Sequence, residues 1–154
     1  MEYLSLKWLH ILSAFFLFGT GVGSAFYKLM ADRSGDTRTI AIVMRHVVLA
    51  DWIFTTPTIL IQPISGFRLA YLAGFSFTSG WLAAALILYI IAGACWIPVV
   101  FLQIRMRNLA EKAAASAQPL PDEYHRSARL WFWLGVPAFI SMTVVVYLMV
   151  FKPF

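Results

Sequence analysis

The sequence predicts an all-α transmembrane four-helix bundle. Three observations carry that reading: an apolar composition, four runs of bilayer length with at most one charged residue, and no alternating pattern of the barrel-strand kind. Of 154 residues, 61% are hydrophobic and 12% charged, against roughly 45–50% and about 25% in soluble domains. Mean hydropathy is +0.78. A hydrocarbon layer of about 30 Å takes about 20 apolar residues in a helix. Backbone in lipid must satisfy its own hydrogen bonds, which leaves helices once alternating strands are excluded.

The spans are read from where charge is missing. Trp8 to Tyr27 contains no Asp, Glu, Lys or Arg, and His46 to Phe67 contains only Asp51. Leu69 to Ile104 is also uncharged but is divided by the turn-like run Gly74, Ser76, Thr78, Ser79 and Gly80, so a third span starts near Trp81. Leu130 to Phe151 supplies the fourth. The spans are placed at about 4–28, 44–68, 80–105 and 128–151 in one domain covering 1–154. The first is read as a mature span, because Glu2 precedes it and Lys28 ends it where a signal peptide would have a small-residue cleavage site. Leu109 to Ala115 continues the third helix, Gln118-Pro-Leu-Pro-Asp breaks it, and Pro121-Asp-Glu starts the fourth.

Lys28, Arg33, Arg38 and Arg45 fall between spans one and two, and Arg105, Arg107, Lys112, Arg126 and Arg129 between spans three and four; the other end keeps Lys7, Arg68 and Lys152. The positive-inside bias then places both termini on the periplasmic side of a bacterial inner (plasma) membrane, as a multi-pass protein. This topology accounts for the net charge of +5, so no nucleic-acid partner is expected. One cysteine, Cys95, excludes a disulfide framework or an iron–sulfur site within the chain. No hydrolase triad, phosphate loop or paired-carboxylate pattern occurs. Four spans enclose little volume, which allows for a homodimer.

In span one, Lys7, His10, Ala14, Leu17, Gly21 and Ser24 share a helical stripe opposite Phe15, Phe18, Val22 and Phe26. Gly19, Gly21 and Gly23 have two readings: tight small-residue helix packing, or a slot flat enough for a planar ring. Ionisable groups at membrane depth are rare and usually face protein. His10 is therefore either a haem-iron ligand or an interfacial histidine bonded to a neighbour. In span two, Asp51, Thr55, Thr58, Gln62 and Ser65 form a polar seam at helical spacing. It is read as interhelical hydrogen bonding, as a hydrated lining, or as a quinone headgroup site. Pro57 and Pro63 predict a kink there. His46 should lie about 20 Å from His10 in depth, at 1.5 Å per residue, and about 140° around the helix from Asp51. It reads as an interfacial residue, or as a second ligand to a separate cofactor. Trp81, Trp131 and Trp133, at helix ends, read as interface anchors.

The run Leu6-Lys7-Trp8-Leu9-His10-Ile11, with Phe54-Thr55-Thr56-Pro57 leading to Gly66, resembles HemJ-type protoporphyrinogen oxidases and, more distantly, CopD-like membrane proteins. Over nearly its whole length the chain resembles an uncharacterised family of predicted integral membrane proteins, domain of unknown function 2269. Arg45-His46 to Asp51-Trp52 and Ala92 to Pro98 resemble that family's blocks. The HemJ likeness implies haem b with His10 as axial ligand and Lys7 as a nearby cation. The topology puts Arg68 on the same side, where either cation could pair with propionates, and the small-residue stripe puts Gly21 in the slot. Trp81 is followed by Leu82-Ala-Ala-Ala85-Leu86 and lacks the lysine HemJ-type proteins carry there, so the likeness bears on haem binding rather than on porphyrinogen oxidation.

The expectation is a haem-binding redox or electron-transfer protein exchanging with quinone or a porphyrin-like molecule. Two rivals stand beside it. One is a non-enzymatic small-molecule or ion transport module using Asp51, Thr55, Thr58 and Gln62; the other is an assembly subunit of a larger membrane complex.

Overall fold

The computed structural model describes residues 1–153, and its described residues are helices joined by short turns. Four helices are long and apolar enough to cross a membrane: α1, Glu2–Ser34; α2, Thr37–Leu72; α3, Gly80–Ala115; and α4, Asp122–Phe151. Each contains one of the charge-poor runs and extends beyond it at the basic end. Large apolar side chains such as Phe15 and Ile64 stand on the outer surface, as a lipid-facing exterior requires.

Short connections force antiparallel neighbours. Only Gly35 and Asp36 separate α1 from α2. Gly35 sits in the left-handed region at φ 67°, which costs little without a Cβ and ends α1. Asp36 then caps α2, accepting from the backbone N–H of Arg38 at 3.3 Å and Thr39 at 3.0 Å. The Thr39 hydroxyl and these amides hold the Asp36 carboxyl below its ordinary range.

Within α2 the α-helical segment Thr37–Ala50 gives way to a π-helical turn, Asp51–Thr55, before the α-helix resumes over Thr56–Leu72. Pro57 lacks an N–H and its ring would crowd the carbonyl of Ile53. The helix answers by widening by one residue, with the Thr56 N–H and hydroxyl both reaching the carbonyl of Asp51. The kink expected from Pro57 thus takes the form of a π turn centred beside Asp51.

The chain packs as two hairpins, α1 with α2 and α3 with α4, joined where the N-terminal half of α2 lies against α3. Ile40, Ala41 and Met44 of α2, Ala31 of α1, Met106 and Ala110 of α3, and Tyr124 of α4 form the apolar core at this basic end. A smaller cluster of Trp81, Ala85, Val145 and Leu148 joins α3 to α4 at the end bearing the termini. Trp81, at 6% exposure, is a core residue and not the interface anchor expected from its position; Phe75 packs edge-on against it. Between the two clusters the hairpins part.

Met44 is fully buried in the cluster to which all four helices contribute. Met44→Ala leaves a cavity there and is expected to destabilise the protein by about 2–5 kcal/mol, seen as a lower unfolding temperature in detergent.

Candidate functional site

Helical spacing puts Asp51, Thr55, Thr58, Gln62 and Ser65 on one face of α2, and all five are buried. Their hydrogen bonds divide the seam in two. Toward the termini, Gln62 donates to the His10 carbonyl at 2.8 Å and to Ser13 Oγ at 2.6 Å. His10 Nδ1 meets Ser65 Oγ at 2.7 Å, and the Ser65 hydroxyl donates to the Ile61 carbonyl at 2.6 Å. With the serine proton committed to Ile61, His10 donates from Nδ1, and Nε2 keeps its lone pair. Thr58 bonds the carbonyls of Phe54 and Thr55 on its own helix. This stretch of the seam is interhelical bonding between α1 and α2, the first of the readings drawn from sequence.

At the other end of the seam the bonding is incomplete. Asp51 is 7% exposed and lies about 10 Å inside the basic boundary of its span, at 1.5 Å per residue. Its Oδ1 accepts from Thr55 Oγ1 at 2.8 Å. Its Oδ2 is buried and makes no hydrogen bond of good geometry, though the Gln103 side chain lies close enough to interact with the carboxyl. The only other buried side-chain polar atoms without partners among the described residues are Trp96 Nε1 and Trp131 Nε1. All three residues line one cavity of about 460 Å³ enclosed by all four helices. Gln103, 4% exposed, lines it as well. The rest of the wall is mostly apolar and includes Phe18, Phe132 and Phe139.

The basic end of this cavity is sealed. Lys28, 3% exposed, bonds Asp32 at 2.5 Å and lies 5.0 Å from the ring of Trp131 and 5.5 Å from that of Tyr124. The Tyr124 hydroxyl donates to Asp32 at 2.6 Å, tying α1 to α4. The ammonium, held by a carboxylate and two aromatic faces, keeps this end of the bundle packed beneath Trp131. Above it α1 and α4 hardly pack, and the gap is spanned by an edge contact of Phe18 with Phe139, centroids 6.4 Å apart. Val22, Phe132 and Phe139 line the cavity and are about half exposed, so it communicates sideways with the surrounding lipid.

The glycines of span one make space and do not serve close packing. A Cβ built on Gly19, Gly21 or Gly23 meets nothing within 4 Å. Gly21 lines the central cavity, whereas Gly19 and Gly23 line a separate groove between α1 and α2 that includes His46. His46 is exposed, away from the seam, as the helical angle required.

Haem b was expected on His10 with Lys7, Gly21 and Arg68 beside it, and the chemistry of the donor fits in one respect. A ligating histidine donates its other ring nitrogen to an acceptor, as His10 does to Ser65. The surroundings do not fit. The ring lies on α2, where a Cβ at Gly66 would come within 3.2 Å of His10 Cε1, and neither cavity described above is lined by His10. Lys7 is exposed, Arg68 is paired with Glu2 at 2.7 Å, and Gly21 belongs to the other site, about 16 Å along α1 from His10. These four residues are not gathered around one space. Among the described residues no three His, Cys, Asp or Glu side chains cluster for a metal ion.

Sequence reasoning identified Asp51 and Thr55 and missed Trp96, Gln103, Trp131 and Lys28 as their neighbours. Trp131 was assigned to the interface and Lys28 only to topology. A lone amide in an otherwise apolar span was the signal that Gln103 offered.

The fold and cavity define a four-span helical membrane protein with an internal, largely apolar chamber that has a polar end. Residues 4–153 match the family model described as predicted integral membrane protein (DUF2269). The chain belongs to that family. No curated protein and no solved structure matches it.

Gly66→Ala and Gly93→Ala should act oppositely. At Gly93 a Cβ meets nothing within 4 Å, so alanine is expected to stabilise the helix by about 0.5–1 kcal/mol. At Gly66 it presses on the hydrogen-bonded His10 ring and lowers stability. Thermal unfolding of both variants checks the pair.

Proposed function

We propose that this protein is a non-enzymatic binding module for a membrane-dissolved small molecule, taken into the central cavity with its polar end at Asp51. The observation that carries the proposal is a largely apolar cavity of about 460 Å³ bordered by all four helices, whose lining includes three residues with an unpartnered buried polar atom, Asp51, Trp96 and Trp131. Volume and lining support it too: ligand sites are apolar spaces of roughly 300–1,000 Å³ with a few placed polar groups. The packed end at Lys28 and the gap between α1 and α4 favour lateral access from the bilayer over passage straight through. Carriage of the bound molecule between leaflets or to a partner is the transport role this geometry supports.

The distribution of basic residues supports the orientation proposed with it. Nine of the twelve stand at one end, which the positive-inside bias assigns to the cytoplasm of a bacterial inner membrane.

A second reading, haem b on His10 Nε2 with a redox role, draws support from the Nδ1–Ser65 hydrogen bond. The two are separable. Protein extracted gently from its own membrane should carry a small molecule detectable by mass spectrometry, retained in His10→Ala and lost in the cavity-filling double variant Gly93→Leu/Gly135→Leu, where added side chains meet open space. Retention of that molecule in the double variant would sink the cavity reading. An absorption spectrum decides the other: a Soret band abolished by His10→Ala moves the function to His10, and its absence in wild type removes haem.

A further inference from the structure

Polar bonds tie α1 to α4 at one place. α1 packs along α2 and hardly touches α3 or α4. Its exception is the cluster at the basic end, where Lys28 bonds Asp32 at 2.5 Å and the Tyr124 hydroxyl donates to Asp32 at 2.6 Å. The Lys28 ammonium stands 5.0 Å from the Trp131 ring and 5.5 Å from the Tyr124 ring. Ala25, about one turn before Lys28, and Trp131 both line the cavity, so the cluster sits where the gap between α1 and α4 begins. We infer that Lys28, Asp32, Tyr124 and Trp131 form a latch on the side portal of the cavity. While it is made, α1 leans on α4 and the portal is no wider than the Phe18–Phe139 contact; when it opens, α1 tilts away and admits a molecule from the bilayer. The role in admission rests on the binding reading above.

The chemistry suits a contact that opens and closes. Its bonds across the gap are a charge-assisted hydrogen bond and two cation–π contacts, which are directional and are lost together over a small displacement. Opening strands no charge in hydrocarbon: Asp32 is already 26% exposed, and a lysine near a helix end reaches the interface with its long stem. Nothing comparable holds the portal above. The Phe18–Phe139 contact is a single edge approach at 6.4 Å, and Val22 and Phe139 on the two sides are about half exposed. The other flank of α1 is fixed, because Gln62 and Ser65 of α2 bond the His10 carbonyl, Ser13 and the His10 ring. α1 therefore has one firm side and one side whose hold depends on four residues.

The test measures distances between spin labels in the full-length protein in lipid nanodiscs, with Cys95→Ala as background. Trp8→Cys on α1 and Val150→Cys on α4 place labels on exposed positions at the far end of the portal, where a tilt is amplified: Trp8 lies about 30 Å along α1 from Lys28. Tyr124→Phe removes the hydroxyl and keeps the ring that packs with Met44 and Met106; Lys28→Met removes the cation. Each is expected to raise the population of a longer distance about tenfold over the parent, one hydrogen bond to a charged group being of that order. Arg45→Gln, which breaks the exposed pair with Glu111 between α2 and α3, should leave the distribution unchanged. A second label pair, Ile87→Cys on α3 with Val150→Cys, should stay constant in every variant. A distribution unmoved by both Tyr124→Phe and Lys28→Met overturns the latch. A change that the Ile87–Val150 pair shares, or that Arg45→Gln reproduces, also overturns it, because the loosening is then general. These distances are read without a ligand, so a protein that carries no small molecule by mass spectrometry overturns the binding reading and leaves the latch supported by its own readout.

Discussion

A carboxyl group in the hydrocarbon layer persists only where the protein surrounds it and supplies hydrogen bonds. Asp51 has that shelter on one side only. Thr55 meets Oδ1, while Oδ2 is buried without a hydrogen bond of good geometry, in a residue that lines the cavity together with Trp96 of α3 and Trp131 of α4. The backbone changes at the same place: Pro57 removes an amide, and α2 widens into a π turn over Asp51–Thr55, at the boundary between the part of the seam that bonds α1 and the part that borders the cavity.

The same seam therefore does two kinds of work. Gln62, Ser65, His10 and Ser13 clasp α1 to α2 through bonds worth individually about 0.6 kcal/mol in membranes. That clasp holds the first hairpin together while the second is held by its own apolar cluster. The hairpins meet firmly only at the basic end, through Met44, Met106 and Tyr124. Separation beyond that junction leaves the cavity, and the buried Lys28–Asp32 pair beneath Trp131 closes its floor.

The glycines of α1 show why composition alone was ambiguous. Gly19, Gly21 and Gly23 are compatible with close helix contact or with open space, and nothing local distinguishes the two. The neighbours decided it: no side chain fills the volume over them. His10 was ambiguous for the same reason. Its depth and face followed from helical periodicity, but its use as a clasp to Ser65 depended on which helix lay opposite and at what height.

Helix number, the apolar exterior and the sorting of basic residues to one end were legible in the sequence, because bilayer thickness and backbone hydrogen bonding act on each segment separately. The break at Gln118 to Pro121 and the restart at Asp122 were legible too, proline and cap chemistry being local. The convergence of Asp51, Trp96, Gln103 and Trp131 was not. It depends on the relative rotation and splay of two hairpins, set by side chains far apart in the chain, and no spacing within one helix encodes it. Sequence thus determined what each helix had to be, and packing decided which of its polar atoms were left without a partner.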